Sequence, residues 1–158
     1  MLLHNQGEPS QPSEGVDMSE QFVEQFKQGW ALSKPDGFLA FFAPLIHPDA
    51  VQRAKPTPTV VGPQGQAAFF RRFFALVPDA TVTVVSAAVD GEWVFIRTRI
   101  DGHVGRRRPV SFGGIDHFHI VDGKIAERDT FTDAQPLLAA IAMTPRSWPA
   151  AARFLLGR

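Results

Sequence analysis

The stretch GIDHFHIVDGKIAERDTFTD, residues 114–133, contains two segments of alternating apolar and polar residues separated by Asp-Gly-Lys. Alternation with a period of two is typical of β-strands, and Asp-Gly is typical of the tight turn of a hairpin. The same pattern precedes it in residues 80–89 and 93–100, which are separated by Asp-Gly-Glu. The second half of the chain is therefore predicted to form an antiparallel meander.

Helical periodicity dominates the first half of the chain, where Phe22, Phe26 and Trp30 recur every four residues. The proline-rich residues 46–65 predict a short strand and a loop. The predicted helices lie within residues 17–32, 36–45, 65–78, 133–143 and 145–158. Helices followed by a curled sheet indicate an α+β fold with a hollow between its layers, and we expect the last helix to pack on a partner or on the sheet's outer face.

The composition excludes several classes of function. Sixteen basic and sixteen acidic residues give a formal net charge of zero, so no global field favours nucleic acid or an anionic membrane. The chain contains no cysteine, which excludes thiol nucleophiles and Cys-ligated zinc. Residues 1–17 are rich in Gly, Pro, Ser, Gln and Glu and predict a flexible tail. No apolar run approaches the length of a membrane span, and we expect a soluble, cytoplasmic protein.

The strand that begins at Trp93 raises the question of a functional site because its two faces differ. One face is apolar except for a threonine and consists of Val94, Ile96, Thr98 and Ile100. The other face runs from aromatic to charged and consists of Trp93, Phe95, Arg97, Arg99 and Asp101. Since a solvated face rarely carries both Trp and Phe, we expect this mixed face to border an enclosed pocket.

Three segments carry a resemblance to a known family: FALVPDATVTV at residues 74–84, IDGHVGR at residues 100–106, and the hairpin at residues 114–133. From about residue 19 to residue 142 the chain resembles the SnoaL-like branch of the nuclear transport factor two-like superfamily. That branch includes polyketide cyclases, limonene epoxide hydrolase and ketosteroid isomerase. The resemblance implies an α+β cone-shaped fold, with N-terminal helices packed on a strongly curved, mostly antiparallel sheet around an internal pocket.

The resemblance also divides the chain. It implies a SnoaL-like domain over residues 18–143, preceded by the tail at 1–17 and followed by a C-terminal helical extension at 144–158. It implies chemistry without a cofactor or a metal. Because folds of this kind host several unrelated activities, it does not fix the reaction.

The resemblance to the epoxide hydrolases implies a site around Arg99 and Asp101, which match an Arg-x-Asp pair that acts with an aspartate on the last strand. An arginine between two carboxylates allows one to act as a base and the other as an acid. Asp129 matches that last aspartate only if one residue is deleted; otherwise Thr130 takes the position. A surface salt bridge is the alternative for Arg99 and Asp101.

The last strand either carries a bulge near Glu127, which turns Asp129 into the cavity towards Arg99, or is regular. The regular strand is favoured, because Asp133 then keeps its family spacing from Gly123. Such a strand presents Arg128, Thr130 and Thr132 to the pocket and turns Asp129 away from it.

Other residues of the family sites are missing from the chain. Gln52 and Ala54 stand where the epoxide hydrolases place a Tyr and an Asn, and the chain contains no Tyr. Steroid isomerisation by the family mechanism is therefore not expected. The match to the polyketide cyclases places Asp116 and Thr130 opposite each other. Asp116, on a strand between apolar residues, is predicted either to line the pocket or to pair with Arg99 or Arg128.

These observations lead to two hypotheses. The first is a pocket protein for a small apolar molecule, acting as a cofactor-free acid/base enzyme of cyclase, isomerase or epoxide-hydrolase type. The alternative is a non-catalytic ligand-binding or dimerisation domain. The catalytic candidates are Arg99, Asp101, Asp116 and Asp129. The ligand-binding candidates are Trp30, Phe41, Phe69, Phe73, Trp93, Phe95, His103, Arg128 and Thr130.

A homodimer is expected as well, because the fold leaves one face of its sheet open. The residues expected to cover that face are Val82, Val84, Val94 and Ile96. His117 and His119 share a face of their strand and are assigned to solvent or the dimer interface rather than to a metal, since a third spaced ligand is missing.

Overall fold

The computed structural model describes residues 14–158. Its helices are α1 (Glu14–Ala31), α2 (Asp36–Phe42), α3 (Gly62–Leu76), α4 (Gln135–Ala142) and α5 (Trp148–Leu156). Its strands are β1 (Ile46–Arg53), β2 (Val60–Val61), β3 (Thr81–Asp90), β4 (Trp93–Val104), β5 (Arg108–Val121) and β6 (Lys124–Thr132). The predicted tail at residues 1–17 lies mostly outside the described residues, and α1 begins within it at Glu14. No helix between residues 14 and 158 is long and apolar enough to cross a membrane.

The six strands form one sheet in the order β2-β1-β6-β5-β4-β3. The predicted meander is confirmed, because β3, β4, β5 and β6 pair antiparallel with their neighbours in sequence. At the β5–β6 turn, Asp122 and Gly123 have φ angles of 51° and 73°, the left-handed conformation that an Asp-Gly hairpin turn needs. The proline-rich segment adds β1, which pairs parallel with β6 and antiparallel with β2. The result is the α+β cone fold, with N-terminal helices on a curved, mostly antiparallel sheet.

The core is an aromatic layer between the helices and the concave face of the sheet. Phe22, Phe26 and Trp30 of α1 are buried, as their spacing of four residues predicts. The rings of Phe22 and Phe26 contact Phe118 of β5, with centroids 4.8 and 5.8 Å away. Trp30 packs edge-on against Phe38 of α2 at 4.8 Å. Rings from three elements therefore hold the helices on one side of the sheet.

The C-terminal helix packs inside this assembly, not on the outer face of the sheet as expected. Phe154 of α5 is buried, and its ring lies 5.3 Å from Phe69 and 5.8 Å from Phe73 of α3. An apolar stripe on a short helix does not specify its partner. Here the face of α3 that carries Phe69 and Phe73 is that partner, and α5 becomes part of the same core.

Candidate functional site

The two faces of β4 have the opposite placement from the one predicted. Val94 and Ile96 are fully buried and Thr98 is 4% exposed, so the apolar face is the inner one. Trp93 and Phe95 are 37% and 40% exposed on the outer face. The expectation that the mixed face borders a pocket is therefore wrong. The concave side receives the helices, and compact β-branched side chains fill it.

Arg99 and Asp101 accordingly form a surface ion pair. Arg99 Nε lies 3.0 Å from Asp101 Oδ2, and the two side chains are 60% and 41% exposed. A hydrogen bond from Ser111, opposite Asp101 on β5, and the Arg99 guanidinium lower the pKa of Asp101. The predicted acid/base pair is thus brought together, but on the outside of the cone.

Asp129 also lies outside the cone. Arg53 Nη1 is 3.2 Å from its Oδ1 and 3.1 Å from Glu127 Oε2. From Glu127 to Thr132 the residues of β6 pair one to one with β5, so alternation turns Asp129 outwards. The register shift falls between Ile125 and Glu127 and changes the alternation, since Ile125 and Arg128, three residues apart, are both buried. The last strand is therefore not regular as predicted, and its irregularity turns Asp129 outwards and leaves Arg128, Thr130 and Thr132 at the cavity.

Two of the predicted pocket aromatics are covered by histidines on the outer face. The ring of Trp93 stacks on His119 at 4.2 Å with an interplanar angle of 10°, and Phe95 stacks on His117 at 4.3 Å and 11°. His119 Nε2 lies 3.3 Å from Glu92 Oε2. Stacking on imidazole rings of the neighbouring strand shields both aromatic rings in part from solvent, although no pocket surrounds them.

Phe41 and His103 also lie away from the pocket predicted for them. Phe41 is half-buried and packs edge-on against Phe42 at 5.3 Å. His103 Nδ1 lies 2.7 Å from Asp79 Oδ2, and its backbone N–H donates to Asp79 Oδ1. Partial desolvation opposes ionisation of Asp79, but these bonds from His103 outweigh it and lower its pKa. The pair links the segment before β3 to the end of β4.

An internal cavity lies instead between the concave face of the sheet and helices α1, α3, α4 and α5. The space open to the centre of a water molecule within it is about 90 Å³. Its apolar wall includes Phe26, Trp30, Phe69, Phe70, Phe73, Val82, Ile100, Phe112, Leu137, Leu138, Phe154 and Leu155. Its polar wall includes Thr98, Asp116, Arg128, Thr130 and Thr132. Of the predicted site residues, this cavity brings together Trp30, Phe69, Phe73, Asp116, Arg128 and Thr130.

Asp116 is the centre of the polar wall. Its Oδ1 accepts hydrogen bonds from Arg128 Nε at 2.9 Å and Thr130 Oγ1 at 2.6 Å, and Arg128 Nη2 is also 2.9 Å away. No side chain or backbone group of residues 14–158 donates a hydrogen bond to Oδ2. The side chains of Asp116 and Arg128 are 6% and 10% exposed. One carboxylate oxygen is thus saturated while the other remains available.

Arg128 is held rigidly beside Asp116. Its guanidinium carbon lies 5.2 Å from the ring centroids of both Phe70 and Phe118. Such contacts favour a cation over the faces of aromatic rings. The guanidinium therefore compensates the charge of Asp116 from a position that ring packing fixes.

Two further threonines, Thr98 and Thr132, extend this polar wall across the sheet. Thr98, Gly114 and Thr132 lie side by side on β4, β5 and β6, one row from Asp116 and Thr130. Gly114 contributes no side chain, which leaves space between the two hydroxyl groups. Thr98 was predicted to lie on the apolar face of β4 and was not among the predicted site residues. The signal in the sequence was the two-residue alternation of the predicted strands, which allows Thr98 to share a face of the sheet with Asp116.

Three segments in which no site residue was predicted form the rim of the cavity. Residues 54–57 after β1 contribute one edge, and Leu137 and Leu138 of α4 contribute another. Phe154 and Leu155 of α5 close a third side. Ala54, noted as a departure from the epoxide hydrolases, lies in this rim.

Solved structures similar to this chain share its fold at low sequence identity. A protein described as a SnoaL-like polyketide cyclase from Jannaschia sp. CCS1 has a TM-score of 0.74 and 21% identity, over 87% of this chain and 100% of that one. An LEH-like epoxide hydrolase from M. tuberculosis has a TM-score of 0.64 and 18% identity, over 86% and 98%. A hypothetical protein of ketosteroid isomerase-like fold from Catenulispora acidiphila DSM 44928, in complex with trimethylamine, has a TM-score of 0.66 and 18% identity, over 77% and 92%.

No curated protein matches the chain. The family model described as the SnoaL-like domain matches residues 20–128, a span that begins within α1 and ends within β6 at the buried Arg128. The chain therefore belongs to the SnoaL-like domain family.

Proposed function

We propose that the cavity binds one small, largely apolar molecule and that Asp116 exchanges a proton with it, without a cofactor. The observation that carries this proposal is the unshared Oδ2 of Asp116 in a cavity whose wall is mostly apolar. A carboxylate oxygen in this position can accept a proton from a carbon next to a carbonyl group or from a hydroxyl group. Arg128 and Thr130 hold the carboxylate through Oδ1 and leave Oδ2 directed to the ligand.

The reaction class that this site favours is cyclisation or isomerisation. The epoxide-hydrolase arrangement implied by the resemblance needs two carboxylates around one arginine. Among the described residues, Asp116 is the one carboxylate in the cavity wall, since Asp101 and Asp129 lie outside the cone. One base suits proton transfer at a carbon acid, a carbon whose neighbouring carbonyl oxygen accepts a hydrogen bond from the protein. The polyketide cyclases among the similar structures support the same class.

Deuterium exchange into a simple ketone tests this proposal. We expect the protein to accelerate exchange of the α-protons of 2-tetralone in heavy water, followed by NMR. Asp116→Asn should lower that acceleration by about 10²–10⁴-fold, the usual contribution of a positioned acid or base. Asp129→Asn is the matched control on the opposite face of the sheet and should leave the rate unchanged. Equal losses in both variants would contradict the assignment of Asp116.

Ligand binding without catalysis is the second candidate. It is favoured because Asp116 and Arg128 balance each other's charge and, among the described residues, Lys55 is the one further ionisable side chain in the cavity wall. Saturable binding of 2-tetralone without any acceleration of exchange would support this alternative. Native mass spectrometry of the purified protein would also identify an apolar molecule that is retained in the cavity.

We also propose that the outer face of the sheet is covered by a second copy of the chain. Val94 and Ile96 were expected to cover this face but are fully buried inside the cone. Val82, expected there as well, lines the cavity. Instead, Ile115 and Phe131 are 45% and 66% exposed on the outer face. Outer-face arginines and carboxylates surround them in similar number: Arg53, Arg97, Arg99, Asp101, Glu127 and Asp129. A surface with both signs of charge around an apolar centre is complementary to its own copy.

A further inference from the structure

A second, smaller cavity lies beside Arg128, and the proposed function does not use it. The space open to the centre of a water molecule within it is about 30 Å³. Phe26, Trp30, Phe70 and Arg128 line both cavities, so the two spaces adjoin at these side chains. The guanidinium of Arg128, which packs against the rings of Phe70 and Phe118, lies where the two spaces meet.

The small cavity contains a polar group that is not satisfied. Gln66 of α3 lines it, is 2% exposed, and has no hydrogen-bond partner for its Nε2 among the described residues. A buried N–H group without an acceptor costs free energy that water or a ligand recovers by accepting its hydrogen bond. The unsatisfied group is a donor, so the matching group on a ligand is an acceptor.

Arg128 adds a second source of donors. The guanidinium carries five N–H groups, and its Nε and Nη2 are directed to Asp116 Oδ1. This leaves the Nη1 group for another acceptor on the wall that Arg128 shares with the small cavity. Two donor-bearing side chains, Gln66 and Arg128, thus line a space large enough for an oxygen atom and its carbon.

We propose that the small cavity is a subsite for the carbonyl oxygen of the ligand whose body fills the main cavity, with Gln66 Nε2 as its donor. This inference rests on the proposed function, because it assigns one end of the same ligand. A carboxylate would add a negative charge that Arg128, already paired with Asp116, does not compensate. A hydrocarbon would leave Gln66 unsatisfied. An uncharged carbonyl satisfies the donor and adds no net charge.

A pair of probes of equal shape tests the subsite. Acetophenone and α-methylstyrene differ in an oxygen that replaces a methylene group. Calorimetric titration of the protein should show that acetophenone binds roughly tenfold more tightly, as expected for one buried hydrogen bond. Gln66→Met, which keeps the volume and removes the donor, should abolish that preference and leave the affinity for α-methylstyrene within about threefold.

Gln52→Met is the matched control. Gln52 is equally buried, and its amide also lacks partners among the described residues, but it lines neither cavity. We expect it to retain the preference for acetophenone. A loss of preference in Gln52→Met as large as in Gln66→Met would show that buried amides act through stability alone and would overturn the proposal.

The wild-type protein gives an independent readout if Gln66→Met fails to fold. In ¹⁵N-resolved NMR spectra, acetophenone should shift the side-chain NH₂ resonances of Gln66, whereas α-methylstyrene should leave them in place. If both probes bind with equal affinity, the subsite is wrong, the small cavity holds water, and the proposed function survives. If neither probe binds, the main cavity is not a ligand site and both proposals fail.

Discussion

The inner and outer faces of the sheet each carry an arginine–aspartate pair, and the two pairs have nearly the same geometry. Arg128 and Asp116 approach to 2.9 Å inside the cone, and Arg99 and Asp101 approach to 3.0 Å outside it. Their surroundings differ, because the inner side chains are 10% and 6% exposed and the outer ones 60% and 41%. The distance between the charges therefore does not distinguish the two pairs, whereas the burial of their side chains does.

The inner pair is also more completely bonded. Asp116 Oδ1 accepts hydrogen bonds from Arg128 and Thr130, while two aromatic rings, those of Phe70 and Phe118, pack against the guanidinium. A buried pair of this kind adds little net stability as a whole, but removal of one partner leaves an uncompensated buried charge. In an exposed pair, water solvates the remaining charge when one partner is removed. The comparison predicts a large difference between single substitutions on the two faces.

The largest effect is expected for Arg128→Met. It removes the cation that compensates Asp116 and should lower the free energy of unfolding by about 3–5 kcal/mol in urea titrations. Arg99→Met, the matched change on the outer face, should lower it by at most about 1 kcal/mol. Equal losses from the two substitutions would show that the cavity is hydrated enough to solvate Asp116 alone.

Helix α5 extends the comparison to apolar side chains. Phe154 is buried against Phe69 and Phe73 at the cavity wall, whereas Leu156 on the same helix is 59% exposed. Phe154→Ala should lower the free energy of unfolding by about 3 kcal/mol. Leu156→Ala should change it by about 0.5 kcal/mol or less. A small effect of Phe154→Ala would mean that α5 is not part of the core in solution.

The outer face is tested through its most exposed aromatic residue. If a second copy covers the face, Phe131→Asp should raise the dimer dissociation constant by about 30-fold or more, which corresponds to about 2 kcal/mol. Leu32→Asp, an exposed apolar residue just after α1, should leave the constant unchanged. Sedimentation velocity over a range of protein concentrations measures both. A wild-type chain that sediments as a monomer throughout that range would exclude the dimer.

The sequence predicted the fold well because its signals are local. The Asp-Gly turns, the period-two strands and the four-residue spacing of Phe22, Phe26 and Trp30 each determine an element without reference to the rest of the chain. The alternation of β4 was also correct, since the residues assigned to one face do share it. Alternation does not indicate which face of the strand is turned to the core, because both faces of a strand can contain large apolar residues.

The candidate site was predicted only in part for the same reason. Asp116 and Arg128 could be assigned because a carboxylate among apolar residues requires a partner. Trp93 and Phe95 were misassigned because their cover comes from His117 and His119 on the neighbouring strand, a contact that no single segment contains. Gln66 was not noticed because its lack of partners is a property of the packed structure.

The smallest effect is expected from Asp101→Asn, which tests the outer assignment directly. The hydrogen bond from Ser111 and the charge of Arg99 lower the pKa of Asp101 in the folded state. A lowered folded pKa means that the carboxylate contributes stability above its ordinary, unfolded pKa and loses it as the pH falls through the folded one. Because the group is exposed, we expect Asp101→Asn to cost about 0.5 kcal/mol or less near neutral pH, and less than that at a pH below the ordinary pKa of aspartate. Urea titrations at both pH values measure the difference, and calorimetric titration of the variant with acetophenone should give the wild-type affinity. A change in that affinity would place Asp101 in contact with the ligand and reverse the inner and outer assignments made for β4.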